Sequence, residues 1–126
     1  MSFFHAVVWT DHQSAQVLSF DAEHVQAEKI KAHTHYTKQH GSTVRTEHEF
    51  FAAVCTALDG AGEVLVTGST TAIADFRHYA DKHRPQTAGR IVGYEVVDHP
   101  SDNQLVALAK KHFLKHDRMT GTAALG

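Results

Sequence analysis

Hydrophobic and polar residues alternate along the first thirty positions in the manner of β-strands. Residues 3–10 and 15–20 are rich in aromatic and β-branched residues, and the polar tetrad DHQS separates the two runs. Residues 24–31, HVQAEKIK, alternate more weakly, as is typical of a strand near the edge of a sheet. The pattern therefore predicts a hairpin followed by a third strand at an edge.

The rest of the chain predicts three helices alternating with two strands. Apolar residues recur at the spacing of one helical face in three segments, 51–58, 73–80 and 105–113, and Pro85 is expected to end the second helix. The short runs EVLVTG and RIVGYEVVD are typical of strands. Cys55 falls within the first helical stripe, so we expect a buried core thiol rather than a nucleophile.

Capping residues indicate where the first and last helices begin. TEHE matches a capping box, in which the Thr46 hydroxyl accepts from the Glu49 amide while the Glu49 carboxylate reaches back. Ser101 and Gln104 have the same spacing. We therefore expect the first helix to begin at Thr46, and the last to follow Ser101 and end near Lys115.

The order β-β-β-α-β-α-β-α predicts a mixed five-stranded sheet with helices on both faces. This is a ribonuclease H-like three-layer α/β fold, although other three-layer folds share the order. A chain of 126 residues with 42% hydrophobic residues can bury one core. We assign residues 1–118 to a single domain and residues 119–126 to a flexible C-terminal tail.

Composition narrows the classes of partner. The formal net charge of -2 gives no general attraction to nucleic acid or membrane, but the 12 histidines add positive charge under mildly acidic conditions, so any anion binding should depend on pH. The single cysteine excludes an internal disulfide and cysteine-based zinc motifs. The N-terminal residues resemble neither a signal peptide nor a membrane span, which predicts a cytoplasmic protein of bacterial type.

Residues 32–46 have no hydrophobic period and predict a long loop, of a length that is usually functional or disordered. From residue 29 to 46 there are four Lys or Arg residues and three histidines, and no carboxylate. Such a segment suits the backbone of RNA, with Lys38, His40 and Arg45 as phosphate contacts and Tyr36 for base stacking. The alternative is a polar loop that is merely solvated.

A nuclease of this fold would need three converging carboxylates to hold two metal ions. Asp11 ends the first strand, and Glu47 or Glu49 begins the first helix, but the fourth strand ends in VTGST without an acid. A turn role for Asp11 and a cap role for Glu49 explain the same residues. We therefore expect no nuclease site.

Histidine spacing offers zinc as a second candidate chemistry. His33 and His35 are two apart in the loop, and His112 and His116 are four apart on the last helix; His40, His48, His78 and His83 add further imidazoles. HFLKH lacks the glutamate of a metalloprotease HExxH motif. We favour an exposed basic helix face for the 112–116 pair and expect no cofactor, with His33 and His35 as the remaining metal candidates.

The sequence TGSTT, between the fourth strand and the second helix, could hold an anion on free amides at a helix N-terminus. A plain helix cap at Ser69 or Thr70 explains the same residues. We favour the cap.

Several segments resemble the middle domain of the archaeo-eukaryotic release factor and Pelota superfamily, and more closely the small bacterial relatives called translational machinery proteins. They are VTG before a helix carrying Phe76 and Tyr79, the strand RIVGYEVVD, the segment HPSDNQLVALAKKHF, and the first hairpin AVVWTDHQSAQVLSF. The resemblance covers roughly residues 4–115 and implies the same ribonuclease H-like fold.

In the release factors, the loop that enters the first helix carries Gly-Gly-Gln, which acts at the peptidyl transferase centre. The matching segment here reads KQHGST and lacks that motif, so the resemblance carries over no catalytic residue. It implies a translation-associated protein that binds the ribosome or RNA and is not an enzyme. The alternatives are a histidine-rich metal protein or hydrolase, and a scaffold in which exposed strand edges pair into a homodimer.

Overall fold

The computed structural model describes residues 3–32 and 42–120, and side chains for all of these except 42–46 and 117–120. The strands are β1 (His5–Thr10), β2 (Ser14–Phe20), β3 (Val25–Lys31), β4 (Glu63–Gly68) and β5 (Ile91–Val96). The helices are α1 (Ser42–Ala57), α2 (Thr70–His83), α3 (Pro85–Ala88) and α4 (Asp102–Thr120).

The strands form one mixed sheet in the order β3-β2-β1-β4-β5. β2 is antiparallel to both β1 and β3, whereas β4 is parallel to β1 and to β5. The predicted mixed five-stranded sheet is therefore confirmed. In this topology β1, β3, β4 and β5 all run in one direction. We call the end of the sheet where the C-termini of these four strands lie the carboxyl edge, which is distinct from the edge strands β3 and β5.

Helices cover both faces of the sheet, as predicted. One core cluster joins Val8 and Val66 of the sheet to Phe51 of α1 and Phe76 of α2. The other joins Leu18 and neighbouring strand residues to Leu105, Val106, Ala109 and Phe113 of α4. Alternation along the strands is what divides the two cores, because successive side chains point to opposite faces.

Strand β3 lies at one edge of the sheet, which confirms the prediction from its weak alternation. All its residues are exposed except Ile30, which is partly buried against the α1 side of the core. In the described part of the chain, no helix is long and apolar enough to cross a membrane.

Helix α1 begins at Ser42, four residues before the start expected at Thr46. The prediction of a Thr46–Glu49 capping box was wrong, because Thr46 lies inside the helix rather than at its N-cap. Residues 42–45 contain no glycine or proline, so a helix can extend back toward Gly41, the nearest residue of poor helix propensity. The predicted loop 32–46 is therefore shortened by its last five residues.

The other helix boundaries follow local chemistry more closely. The Ser101–Gln104 capping box is confirmed: the Ser101 amide donates to Gln104 Oε1 at 3.0 Å, and the Gln104 amide donates to Ser101 Oγ at 3.3 Å. Pro85 does end α2, but it also begins the short helix α3, which the apolar pattern did not predict. Helix α4 continues to Thr120, beyond the end expected near Lys115.

Cys55 is fully buried in the core under α1, as its position in the apolar stripe predicted. Burial raises the pKa of the Cys55 thiol from 9.0 to about 11, with a smaller opposing effect of Arg84. We expect iodoacetamide at pH 8 to label Cys55 slowly in the folded chain and rapidly in urea, because the protonated, enclosed thiol is a poor nucleophile. Rapid labelling of the folded chain would contradict this.

The same pKa shift makes stability depend on pH. Below pH 9 the thiol is protonated in both states, whereas between pH 9 and about 11 only the unfolded chain loses the proton. Stability should therefore fall over this range, by at most about 3 kcal/mol. Urea denaturation of wild type and Cys55→Ala at several pH values measures the effect. Burial also raises the pKa of Tyr94, but Tyr94 is present in both proteins, so the difference between their pH profiles is due to the thiol. Identical pH profiles would contradict the expectation.

Candidate functional site

The turn between β1 and β2 shapes one part of the carboxyl edge. Asp11 Oδ1 accepts from the amides of Gln13 and Ser14, both at 2.7 Å, and the Asp11 amide donates to the Ser14 carbonyl at 3.0 Å. These bonds form an Asx-type turn, the alternative role predicted for Asp11. They also fix the backbone on either side of His12, whose side chain is 42% exposed.

His12 meets two carboxylates that come from different helices. His12 Nε2 lies 3.2 Å from Asp75 Oδ2 in α2. Glu47, in α1, joins this pair: one possible ligand atom from each of the three residues lies within 4.8 Å of the other two. We call this set the His12 triad, and it brings one imidazole and two carboxylates to the carboxyl edge.

Two lysines lie at the same edge of the sheet, where β3 ends. Lys29 and Lys31 are both exposed, and their alternation places them on the same face of β3. The Ala32 amide donates to the Gln13 carbonyl at 2.7 Å, so the chain leaving β3 is attached to the β1–β2 turn. The segment that follows Ala32 therefore departs from the carboxyl edge.

Helices α1 and α2 both begin at this edge, and neither has an acidic residue in its first turn. The positive ends of two helix dipoles thus lie at the carboxyl edge on the α1 and α2 side of the sheet. Lys29 and Lys31 alternate with Ile30, which packs against that side, so the two lysines face the other side of the same edge. Ser69 is the N-cap of α2 in extended conformation, but its side chain makes no capping hydrogen bond; its carbonyl accepts from the Ile73 amide at 2.9 Å instead. The expected cap at Ser69 is therefore a backbone cap.

The Trp9 ring at the carboxyl edge contacts other parts of the protein. The Trp9 and His99 rings stack with centroids 4.0 Å apart, and Trp9 Nε1 donates to the Asp98 carbonyl at 3.2 Å. Trp9 is buried. It holds the segment after β5 against the sheet and is not presented to a ligand.

The histidines of α4 lie at the opposite edge and do not converge as a metal pair. His112 packs over Gly93 of β5, whereas His116 Nε2 lies 3.8 Å from Glu63 Oε2. Glu63 Oε1 is 3.0 Å from His5 Nε2. The two histidines therefore contact different strands, β5 and β4, and the border of a basic helix face stays a prediction for them.

A depression of about 280 Å³ also lies away from the carboxyl edge, between β2, β3 and the end of α1. Its lining includes the carboxylates of Glu28 and Asp59 and no lysine or arginine. That charge makes it unsuitable for a phosphate ligand.

Most of the residues predicted from the sequence to bind RNA or metal lie outside the described residues. This applies to Tyr36, Lys38 and His40, and also to His33 and His35. The backbone of Arg45 lies in the N-terminal part of α1, but its side chain is likewise outside the description.

The sequence interpretation missed His12 and Asp75. It tested only acids at the end of the fourth strand, where VTGST has none, whereas Asp75 lies about one helical turn further on. A signal was present, because in open α/β sheets the strand ends and the following helix starts meet at one edge. Polar residues in the first two turns of α2, Asp75 among them, are therefore expected near the end of β1.

Comparison with known proteins identifies the fold. No protein-family model matches the chain, and no curated protein sequence matches it. Among solved structures, Pelota of Archaeoglobus fulgidus is similar with a TM-score of 0.58 and 17% identity, over 86% of this chain and 31% of Pelota. The archaeal translation termination factor aRF1 is similar with a TM-score of 0.59 and 13% identity, over 94% of this chain and 42% of aRF1.

Dom34 of S. cerevisiae, a translation termination-like factor involved in RNA quality control pathways and interacting with Hbs1, gives a TM-score of 0.55 at 15% identity. That likeness covers 94% of this chain and 35% of Dom34. The chain thus spans between about one third and two fifths of the length of these proteins. It has the fold found in one part of Pelota, aRF1 and Dom34.

Proposed function

We propose that this chain is a non-catalytic, translation-associated cytoplasmic module that binds RNA, including ribosomal RNA, at its carboxyl edge through residues 32–46 and the adjoining Lys29 and Lys31. The observation that carries the proposal is the placement of these two exposed lysines. They lie directly before the segment, at the same edge of the sheet as two helix starts whose first turns lack acidic residues. Phosphate groups are attracted to such a combination of charge and dipole.

The fold likeness supports a role in translation. The proteins that share the fold include a translation termination factor and a translation termination-like factor involved in RNA quality control pathways. Fold alone does not carry function, so the proposal depends on the charge of this chain's own edge. Lys38, His40 and Arg45 are the proposed phosphate contacts within the segment, and Tyr36 is the proposed stacking residue.

Three observations favour binding over catalysis. Asp11, the first carboxylate that a nuclease of this fold would use, is occupied by the amides of its own turn. Cys55, the only thiol, is buried and has a raised pKa. Gly-Gly-Gln, on which peptide release by the release factors depends, is absent from the sequence.

Two double variants test the proposal. Lys29→Ala with Lys31→Ala, and Lys38→Ala with Arg45→Ala, should each weaken binding to single-stranded RNA roughly tenfold at low salt. Each lost phosphate contact should also reduce the slope of log K against log salt by about one. Fluorescence anisotropy over a series of salt concentrations measures both quantities, and co-sedimentation with ribosomes checks them in a lysate.

The matched control is Lys82→Ala with Lys115→Ala. Both lysines are exposed, and they lie at the ends of α2 and α4, at the opposite edge of the sheet. The control removes the same charge, so it should reproduce wild-type RNA binding if the carboxyl edge is the site. If the control variant lost as much RNA affinity as the test variants, net charge alone would explain the effect, and the proposal would be wrong. Unchanged co-sedimentation of the test variants with ribosomes would also overturn it.

A further inference from the structure

We propose that His12, Glu47 and Asp75 form a binding site for a divalent cation of the zinc class. The triad joins the β1–β2 turn to α1 and α2, and one ligand atom from each residue lies within 4.8 Å of the other two. Imidazole nitrogen and carboxylate oxygen are both ligands of zinc. The site uses none of the residues proposed for RNA contact and does not depend on that function.

The distances suit a single metal ion. Zinc binds imidazole and carboxylate at about 2.0–2.2 Å, so two ligands of a tetrahedral site are about 3.3–3.5 Å apart. His12 Nε2 and Asp75 Oδ2 already have nearly this separation, at 3.2 Å. Glu47 needs to approach them by only about an ångström and a half, a change within reach of side-chain rotation.

The surrounding charges favour a cation. Within the described residues, neither Glu47 nor Asp75 forms an ion pair with a lysine or arginine, and the only basic partner of Asp75 is His12. Two carboxylates held this close repel each other, and a bound divalent ion removes that repulsion. The two helix starts nearby would weaken binding somewhat, because their dipoles also repel a cation.

The backbone on both sides of His12 is fixed before a metal arrives. The hydrogen bonds from Gln13 and Ser14 to Asp11 hold the turn, and the imidazole contact with Asp75 sets the direction of the ring. His12 and Asp75 are exposed, by 42% and 51% of their side chains, so an ion can enter from solvent. Three protein ligands leave a fourth position for water, as in the open type of zinc site.

Zn²⁺ titration of tag-free protein by isothermal titration calorimetry tests the site. We expect one Zn²⁺ per chain at the triad, with an affinity reduced at least tenfold by each of His12→Ala, Glu47→Gln and Asp75→Asn. X-ray absorption at the zinc edge should show one imidazole nitrogen among oxygen ligands. The three residues are partly or fully exposed, so the variants should fold, which circular dichroism can verify.

His24→Ala is the matched control. His24 is also an exposed histidine paired with an aspartate, with Nδ1 3.3 Å from Asp21 Oδ1, but no third metal ligand joins this pair in the described part of the chain. It should bind Zn²⁺ like wild type, as should the double variant His33→Ala with His35→Ala. Absence of Zn²⁺ binding, equal affinities in all variants, or loss only in the His33/His35 variant would each overturn the proposal.

Discussion

Replacing Phe76 with alanine is expected to destabilise the folded chain by about 3–5 kcal/mol. The Phe76 side chain is fully buried, and its ring meets that of Phe51 edge to face with centroids 5.4 Å apart. Truncation removes this contact between α1 and α2 and leaves a cavity that the surrounding strands cannot fill. Urea denaturation followed by circular dichroism measures the change.

Phe4→Ala provides the control for this prediction. It makes the same truncation at a ring that is 56% exposed, near the start of β1. Its cost should be much smaller, because most of that ring already contacts water. A loss for Phe76→Ala as small as the loss expected for Phe4→Ala would show that the contact between α1 and α2 contributes little to stability.

Gly68→Ala is expected to cost at least about 3 kcal/mol, because two effects act together. Gly68 has φ +147, a conformation that side chains disfavour. An added Cβ would also clash with the Thr10 carbonyl oxygen in the neighbouring strand β1. This clash can be relieved only if β1 and β4 separate at the carboxyl edge, where the turn carrying His12 begins.

Thermal and urea unfolding of Gly68→Ala test the strain, with Gly89→Ala as the control. Gly89 has φ -67, and an added Cβ would come no nearer than 3.4 Å to another residue. That substitution should change stability by less than about 1 kcal/mol. A Gly68→Ala chain as stable as Gly89→Ala would show that the parallel strands can separate at little cost.

The two binding proposals concern one edge of the sheet but can fail separately. RNA binding depends on Lys29, Lys31 and the 32–46 segment, whereas the cation depends on His12, Glu47 and Asp75. Measuring RNA binding by the Asp75→Asn variant, and Zn²⁺ binding by the Lys29/Lys31 variant, shows whether the sites act independently. If the bound cation also attracts phosphate, Zn²⁺ should strengthen RNA binding by wild type and not by Asp75→Asn.

Much of the fold could be predicted from the sequence because its signals are local. The alternation in β1 and β2, the apolar stripe of α4 and the Ser101–Gln104 capping box each depend on residues a few positions apart. Such patterns state which side chains must be buried together, and the order of elements then limits the possible sheets. The edge position of β3 followed in the same way from its exposed, weakly alternating residues.

The start of α1 was not determined by its local motif. Thr46 and Glu49 have the spacing of a capping box, yet the helix continues back to Ser42. A capping residue stabilises a helix start only where no further helical turn can form before it. Short motifs therefore locate a helix more reliably than they locate its first residue.

By itself, the sequence determined the three-layer fold, the burial of Cys55 and the edge position of β3, since each follows from side-chain polarity at short spacing. Only the tertiary structure decided that His12 and Asp75, 63 positions apart, come within 3.2 Å and that Glu47 joins them. Their meeting depends on how β1, α1 and α2 pack over the sheet. Contacts of that kind between distant segments do not appear as a hydrophobic period within any one segment.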